Sequence, residues 1–425
     1  MSVDFYKEFG DLGYLANYSN HGFYKDGIFY KTVEHYYQAN KMLDPVVKKR
    51  IIEVGTPKEA SFIGRDKNNK RIPNIDNERL SIMYDGVLEK FRQNKDIRSK
   101  LIETRNQEIR EMTVKESFWG VGPDLMGENH IGRILMKVRD VVKREVLDNI
   151  LSKCKNKKVY IIGHANPDFD SVFSSLLLTH ILKSFGIDAV FAVRDENFVE
   201  KDLIQDNLEE DYEVVSDYSD KNFILVDHNK LDGIPKENVL GAFDHHIISG
   251  EVEDLIEMEY ASTGLLLYDL FKDHYDFSEE ERKFIGLTVL SDTEYLTSNR
   301  FGVEDKKLYS KLNTSIDEVD FQKKYFETTD FSNDISSNFK KNYKEYEYNG
   351  IKIKRSMISS YTDEKNEYYP SYILEVQKND INLLIWCDYE SRTTYVFYNG
   401  HEFVFPYFTT STNLVIKYLE KEKYL

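Results

Sequence analysis

A chain of 425 residues has room for about three domains, and a hydrophobic content of 41% is ample for packed cores. The net charge of −17 disfavours nonspecific nucleic-acid binding by the whole chain, and two cysteines without CxxC spacing, Cys154 and Cys387, exclude a disulfide framework or zinc ribbon. No apolar run nears membrane-spanning length, and the first residues lack a signal peptide's basic and apolar regions, so a soluble, cytoplasmic protein without a membrane partner is expected.

Charge is spread unevenly along the chain. Through residue 150 there are 26 Lys and Arg against 23 Asp and Glu, while the remainder holds 31 against 51. That asymmetry marks a domain boundary, and the polar LSKCKNKK at 151–158 is its expected place. A first domain of residues 1–150 follows, slightly basic and able to admit a nucleotide or a local stretch of nucleic acid. A fragment of residues 158–425 is expected to fold and act without it.

In this first part, LANYS at 15–19 precedes TVEHYYQANKM at 32–42, which opens on a capping Thr32 and continues at helical spacing. IGR follows at 63–65. FWGVGPDLMGENHIGRILMKVRD at 118–140 gives a Trp-Gly turn, a glycine-punctuated loop and an apolar-faced helix. Glu34 in the helix at 32–42 is a candidate catalytic carboxylate. Trp119 offers a stacking face for a base. Lys41, Arg65 and Arg133 are candidate phosphate contacts, and Asn17 and Asn129 either hydrogen-bond the sugar or fix the loop. Together these segments resemble the NADAR family, which includes an N-glycosidase of phosphorylated riboflavin intermediates and enzymes that remove ADP-ribose from guanine. The resemblance implies a mainly helical domain that cleaves an N-glycosidic bond; positive charge then builds on ribose, and a carboxylate such as Glu34 suits either that state or its attacking water. One departure is that RIPNIDNER at 71–79 lacks the tryptophan the family commonly carries there.

The next elements alternate strand and helix. Residues 158–162 read as a buried strand, GHANPDFDS at 163–171 as a turn, and 171–182 as a helix. Residues 223–226 and 239–243 read as further strands ending in VDHN (226–229) and DHH (244–246), and 284–290 reads as a buried helix ending in SDT (291–293). Four of the ten histidines fall in these motifs, at the sheet edge where α/β proteins bind ligands. If Asp168, Asp170, Asp227 and Asp292 act as ligands, their four charges match two divalent cations, with His164 and His245 adding neutral nitrogens. Imidazole and carboxylate donors without cysteine suit manganese, with magnesium, iron, cobalt or zinc also accommodated by geometry. Two ions about 3.5–4 Å apart would activate a water for attack on phosphorus, and His246 would face the phosphoryl oxygens.

The four motifs, in this order, resemble the DHH phosphoesterase superfamily and most closely its manganese-dependent family II inorganic pyrophosphatases and related exopolyphosphatases. The resemblance implies a doubly wound parallel-sheet domain at 158–312 and a smaller α/β substrate-clamping domain at 318–425. It makes His164, Asp168, Asp170, Asp227, His245 and Asp292 the metal ligands, gives His246 a catalytic place at the substrate phosphate, and puts Lys344 of NYKEYEYNGIKIKRSMI (342–358) in a phosphate-binding position. LLIWCD at 383–388 and TTYVFY at 393–398 read as strands. The family's Ser-Arg-Lys element has no counterpart, because EFVFPYFTTST at 402–412 contains neither Arg nor Lys. Arg355, Arg392 or the hydroxyls of 409–412 are the candidate substitutes.

The whole reads as α/β and α+β: a bifunctional hydrolase joining an N-glycosidase for a ribosyl phosphate or ADP-ribosyl substrate to a two-metal phosphohydrolase of the diphosphatase type. The partner is a small phosphorylated substrate or nucleotide, and a homodimer is compatible with the sequence. Two other readings stand beside it: a pyrophosphatase regulated by a ligand-binding N-terminal module, and a non-catalytic nucleotide sensor.

Overall fold

The computed structural model describes residues 2–114, 116–246, 248–296, 301–325, 329–360, 364–406, 408–409 and 411–425. The chain divides into two compact units. One comprises Met1–Pro167, Ser174–Asn197 and Asp211–Tyr275; the other comprises Asp168–Phe173, Phe198–Glu210 and Asp276–Leu425.

The first unit begins with helices Val33–Asn40, Pro45–Glu53, Pro57–Arg65, Ile75–Gln93 and Lys95–Glu103, and a short parallel ribbon pairs Ser2–Phe5 with Glu108–Glu111. Local chemistry sets the helix starts. Thr32 accepts from His35 N, and Thr56 forms a reciprocal capping box with Glu59. Lys90 is fully buried and donates to Tyr14 O (2.7 Å), Ala16 O (3.2 Å) and Ser19 Oγ (3.2 Å), so it fixes the loop that carries Asn17. Burial lowers its ammonium to about 7.

The unit continues into a six-stranded, all-parallel sheet. Its spatial order is Leu255–Glu257, Val239–Asp244, Asn222–Val226, Lys158–Ile162, Asp188–Val193, Glu213–Val214. The apolar runs Val159–Ile162 and Phe223–Val226 are buried residue after residue, as strands covered on both faces must be. The order reverses between Lys158–Ile162 and Asn222–Val226, which makes their C-terminal ends the switch point where such sheets bind ligands. His164 and Asp227 leave the sheet there.

The helix His130–Cys154 does not stop at the expected boundary near residue 150. It runs 25 residues, and only three residues separate it from strand Lys158–Ile162. Its buried Val142, Val146, Ile150 and Cys154 extend the apolar face along the second half of the helix. Gly241 is required opposite that face, because a Cβ there would lie 2.7 Å from Ile150 Cγ1. Asn149 and Lys153 both bind Asp254 Oδ2, at 2.8 and 2.5 Å, and Arg105 stacks 3.6 Å over Tyr260 while donating to Glu259 O. Residues 155–157 are thus the whole connection between the helix and the first strand of the sheet.

In the second unit, helix Glu279–Asp292 opens with a Ser278–Glu281 capping box. A five-stranded sheet follows in the order Lys344–Tyr348, Ile351–Ser360, Leu383–Asp388, Thr393–Tyr398, His401–Val404; only its second and third strands are parallel. Alternation works on the central strand. Leu383, Ile385 and Cys387 face the helix Thr412–Lys421, while Leu384 and Trp386 meet Phe339 and Tyr372. Among the described residues, no helix is long and apolar enough to cross a membrane.

Two candidate active sites

Glu34 sits in the first turn of helix Val33–Asn40 and is 5% exposed. Its Oε1 accepts from Gln38 Nε2 at 2.7 Å, and its backbone N donates to Asn17 O at 3.1 Å. Burial raises the carboxyl, and the hydrogen bonds of Gln38 and Ser61 only partly oppose that. Gly64 explains the IGR segment: a Cβ there would lie 2.0 Å from Gln38 Oε1. Lys41, 6% exposed, is lowered to about 8, first by burial and then by Arg71. Its Nζ lies 4.9 Å from the Tyr37 ring.

Trp119 is half-buried at the edge of an aromatic group, with ring centroids 5.5 Å from Tyr37 and 4.9 Å from Phe118. Arg79 lies 3.5 Å over Phe118, a cation–π contact from the very segment that lacks the second tryptophan. Arg65 is exposed on an open groove of about 860 Å³ that Tyr18, Arg50, Ser61 and Phe62 also line, and Arg133 is exposed on its helix. Asn129 spends its amide on the loop, donating to Ile109 O (2.8 Å) and accepting from Glu111 N (3.1 Å). Asn17 Oδ1, in contrast, is buried and accepts no hydrogen bond from any described residue.

The second site forms at the sheet's switch point. Asp227 is 1% exposed, and its backbone adopts φ +60°. Its Oδ1 lies 3.2 Å from His245 Nε2, 3.6 Å from His246 Nδ1 and 3.2 Å from the donating Thr263 hydroxyl, while His164 Nε2 lies 3.3 Å from Oδ2. Burial alone would raise this carboxyl, yet the imidazoles of His164 and His245 hold it well below the ordinary range. His164 Nδ1 is 2.9 Å from Ala165 O, and His245 Nδ1 is 3.0 Å from Tyr260 O. Each ring thus sets Nδ1 against a backbone carbonyl and aims Nε2 at the buried carboxylate, where a proton on Nε2 or a cation in its place would balance the charge. Such a donor set fits a divalent cation, and Asp227, His245 and His246 bring one donor atom each within 4.8 Å of one another.

In the other unit, Asp170 is fully buried in the first turn of helix Phe169–Ser184, Asp168 is half-buried and accepts from Ser171 N (3.0 Å), and Asp292 ends its helix half-buried. Glu200 holds their neighbours together, accepting from Phe169 N (2.8 Å) and Ser291 Oγ (2.6 Å).

The model of the NADAR domain matches residues 4–143, and that of the DHH family, N-terminal domain, matches residues 158–291. An N-glycosidase of Nostoc punctiforme is 36% identical over 146 residues, which span 34% of this chain and 94% of that protein. The chain belongs to the NADAR family. The N-glycosidase YbiA of Escherichia coli is 30% identical over 32% of this chain and 86% of its own length. The solved structure of an exopolyphosphatase-related protein from Bacteroides fragilis is 19% identical, with a TM-score of 0.41, covering 67% of this chain and 96% of that one. A NADAR domain is thus followed by a DHH domain, a fusion of hydrolase families.

Two residues shape these sites in ways the motif reading did not assign: Glu111, which lay outside the motifs, and Asp244, which opens DHH without a role. In the NADAR domain, Glu111 is raised to about 7 by burial, then by the like charges of Glu116 and Glu34. Its Oε2 would stand 3.3 Å from a Cβ on Gly120, beside Trp119. In the DHH domain, Asp244 is an orienting group: it accepts from Asn229 Nδ2 (2.5 Å) and His246 N (3.0 Å), and its Oδ1 lies 2.9 Å from His246 Nδ1. In the C-terminal sheet Lys344 is exposed at the start of an edge strand. Arg355 is buried and committed to Asn342 O (2.8 Å), whereas Arg392 is exposed and lies 5.1 Å from the Tyr295 ring. Thr409 is buried against Thr394, and Thr410 lies outside the described residues.

Proposed function

We propose that this chain is a bifunctional hydrolase, a NADAR N-glycosidase for a ribosyl phosphate or ADP-ribosyl substrate joined to a divalent-metal DHH phosphohydrolase. The observation that carries the second half is the ionised, buried Asp227 facing imidazole Nε2 atoms at the switch point. His164, Asp168, Asp170, Asp227, His245 and Asp292 would hold two divalent ions, manganese by preference, which when bound would supply an activated water and charge stabilisation at phosphorus. His246, steadied by Asp244, would donate to the phosphoryl oxygens. Arg392 is the exposed cation best suited to the missing half of the clamp.

In the NADAR domain, Glu34 would stabilise the charge that develops on the ribose, an interaction strengthened by its dry surroundings. Glu111, with a carboxyl near neutrality, would protonate the departing base. Trp119 would stack on that base, Asn17 Oδ1 would accept from the sugar, and Lys41 and Arg65 would take the phosphate. Arg133 is a more distant phosphate contact, and Asn129 holds the loop.

A substrate panel of ribosyl and ADP-ribosyl N-glycosides, pyrophosphate, polyphosphate and phosphoesters tests both halves in one full-length preparation. Base release should persist in EDTA, whereas phosphate release should need manganese and vanish in EDTA. Phosphate release indifferent to chelation would overturn the metal assignment. The continuous helix His130–Cys154 favours one second reading, a phosphohydrolase regulated by a ligand in the NADAR domain; it predicts that such a ligand binds uncleaved and changes the rate of phosphate release.

A further inference from the structure

Arg194 is a buried cation that the proposed chemistry leaves unused. It follows strand Asp188–Val193, is 7% exposed, and spends three nitrogens on three turns of the sheet edge. Nε donates to Gly163 O at 3.0 Å, Nη1 to Asp232 O at 3.3 Å, and Nη2 lies 2.9 Å from His228 Nε2. A guanidinium has donors only, so His228 Nε2 is the acceptor and carries no proton. The ring's proton then sits on Nδ1, which is 2.9 Å from Val226 O and donates to it. His228 is thereby fixed in one tautomer and one orientation, bonded on both edges.

The sequence positions give this arrangement its meaning. Gly163 precedes His164, and His228 follows Asp227, so a single guanidinium ties together the two turns that leave the switch point. Asp227 between them has a left-handed backbone, φ +60°, a region aspartate reaches more readily than most residues, and it is held there from both sides. Its N donates to Phe243 O at 3.0 Å on one side, and the anchored His228 fixes the chain on the other. Burying a guanidinium is costly unless its donors find partners, and two of the three partners here, Gly163 O and His228 Nε2, flank His164 and Asp227.

We propose that Arg194 and His228 are positioning residues, a clamp that holds Asp227 in its left-handed turn and sets its spacing to His164 for a divalent cation. The proposal rests on the divalent-cation reading of that site. Manganese titration of the full-length chain by calorimetry, with the Mn(II) resonance spectrum recorded alongside, tests it. Arg194→Met and His228→Leu should each weaken manganese by ~10–100-fold, the range for groups that orient metal ligands, and the double variant should lose no more than either single one. His228→Gln, whose amide oxygen can accept from Arg194, should stay near wild type. Side-chain ¹⁵N shifts of the metal-free chain should show His228 protonated at Nδ1, and a mixture of tautomers in Arg194→Met. A wild type that takes no manganese defeats the metal reading, while the tautomer measurement still decides the clamp. Manganese binding in Arg194→Met or His228→Leu equal to wild type, or His228→Gln as weak as His228→Leu, overturns the proposal; should Arg194→Met not fold, the two His228 variants decide.

Discussion

The two sites solve opposite electrostatic problems. In the NADAR domain, burial wins: Glu34 is raised, Glu111 is raised to about 7 and Lys41 is lowered to about 8, so each group is drawn toward neutrality. At the sheet edge, burial loses, because the imidazoles of His164 and His245 keep the equally buried Asp227 charged. Groups poised near neutrality serve proton transfer and transient charge, whereas a buried anion faced by imidazole nitrogens suits a cation. On the proposed function, one chain thus holds a site suited to protons and another whose donors could hold a metal.

The sharpest way to break this contrast is Asp227→Ala. It should abolish phosphohydrolase activity and reduce the bound metal found by elemental analysis, while base release by the NADAR site stays within about twofold of wild type. Retained stoichiometric metal in that variant would remove Asp227 from the ligand set.

Next in size is the separation of the two regions. The sequence reading expects residues 158–425 to stand alone, yet that cut removes Val142, Val146, Ile150 and Cys154. At roughly 1.5–3 kcal/mol for each buried side chain, the loss is about 6 kcal/mol or more, comparable with the whole stability of many domains. A fragment of residues 158–425 should therefore be insoluble or melt far below the full chain in a thermal scan, and one beginning at residue 130 should recover much of the difference. Equal melting of the two fragments would show that the helix is dispensable.

Within the NADAR site, Glu34→Gln should lower turnover by ~10²-fold or more with little change in binding, since the charge it meets exists mainly in the transition state. Trp119→Ala should instead weaken binding about tenfold, because stacking acts in both states. Neither should respond to EDTA. Near-normal kcat in Glu34→Gln would dismiss the catalytic assignment.

Motifs made the two sites legible to different depths. Strand runs such as 158–162 and 223–226, closed by GHANPDFDS and VDHN, announced a parallel sheet and the residues at its edge, because parallel strands are apolar on both faces and their ends carry the chemistry. Their neighbours were silent. Arg194 follows an unremarked strand, and Glu111 ends a four-residue ribbon; each matters only through contacts the fold creates. How the boundary is built was equally hidden. LSKCKNKK looks like a linker by composition, but its first four residues complete a helix whose buried face is spaced at 142, 146, 150 and 154.

The smallest effect follows from linkage at Glu111. Its carboxyl titrates near 4.5 when unfolded and at about 7 when folded, so between those values the folded chain binds more protons than the unfolded one. Stability owed to the protonated form is full below pH 4.5 and is lost as pH rises through about 7, above which a buried anion faces Glu34 and Glu116. Glu111→Gln keeps the shape and removes that anion. The variant should match wild type near pH 4.5 and exceed it by about 1–3 kcal/mol at pH 8 in urea denaturation, at 1.36 kcal/mol per pKa unit. Because the other titrating groups are common to both proteins, the difference between the two curves isolates this one carboxyl. A difference that is flat with pH would mean Glu111 is ionised throughout, and the proton donor to the departing base would have to be sought elsewhere.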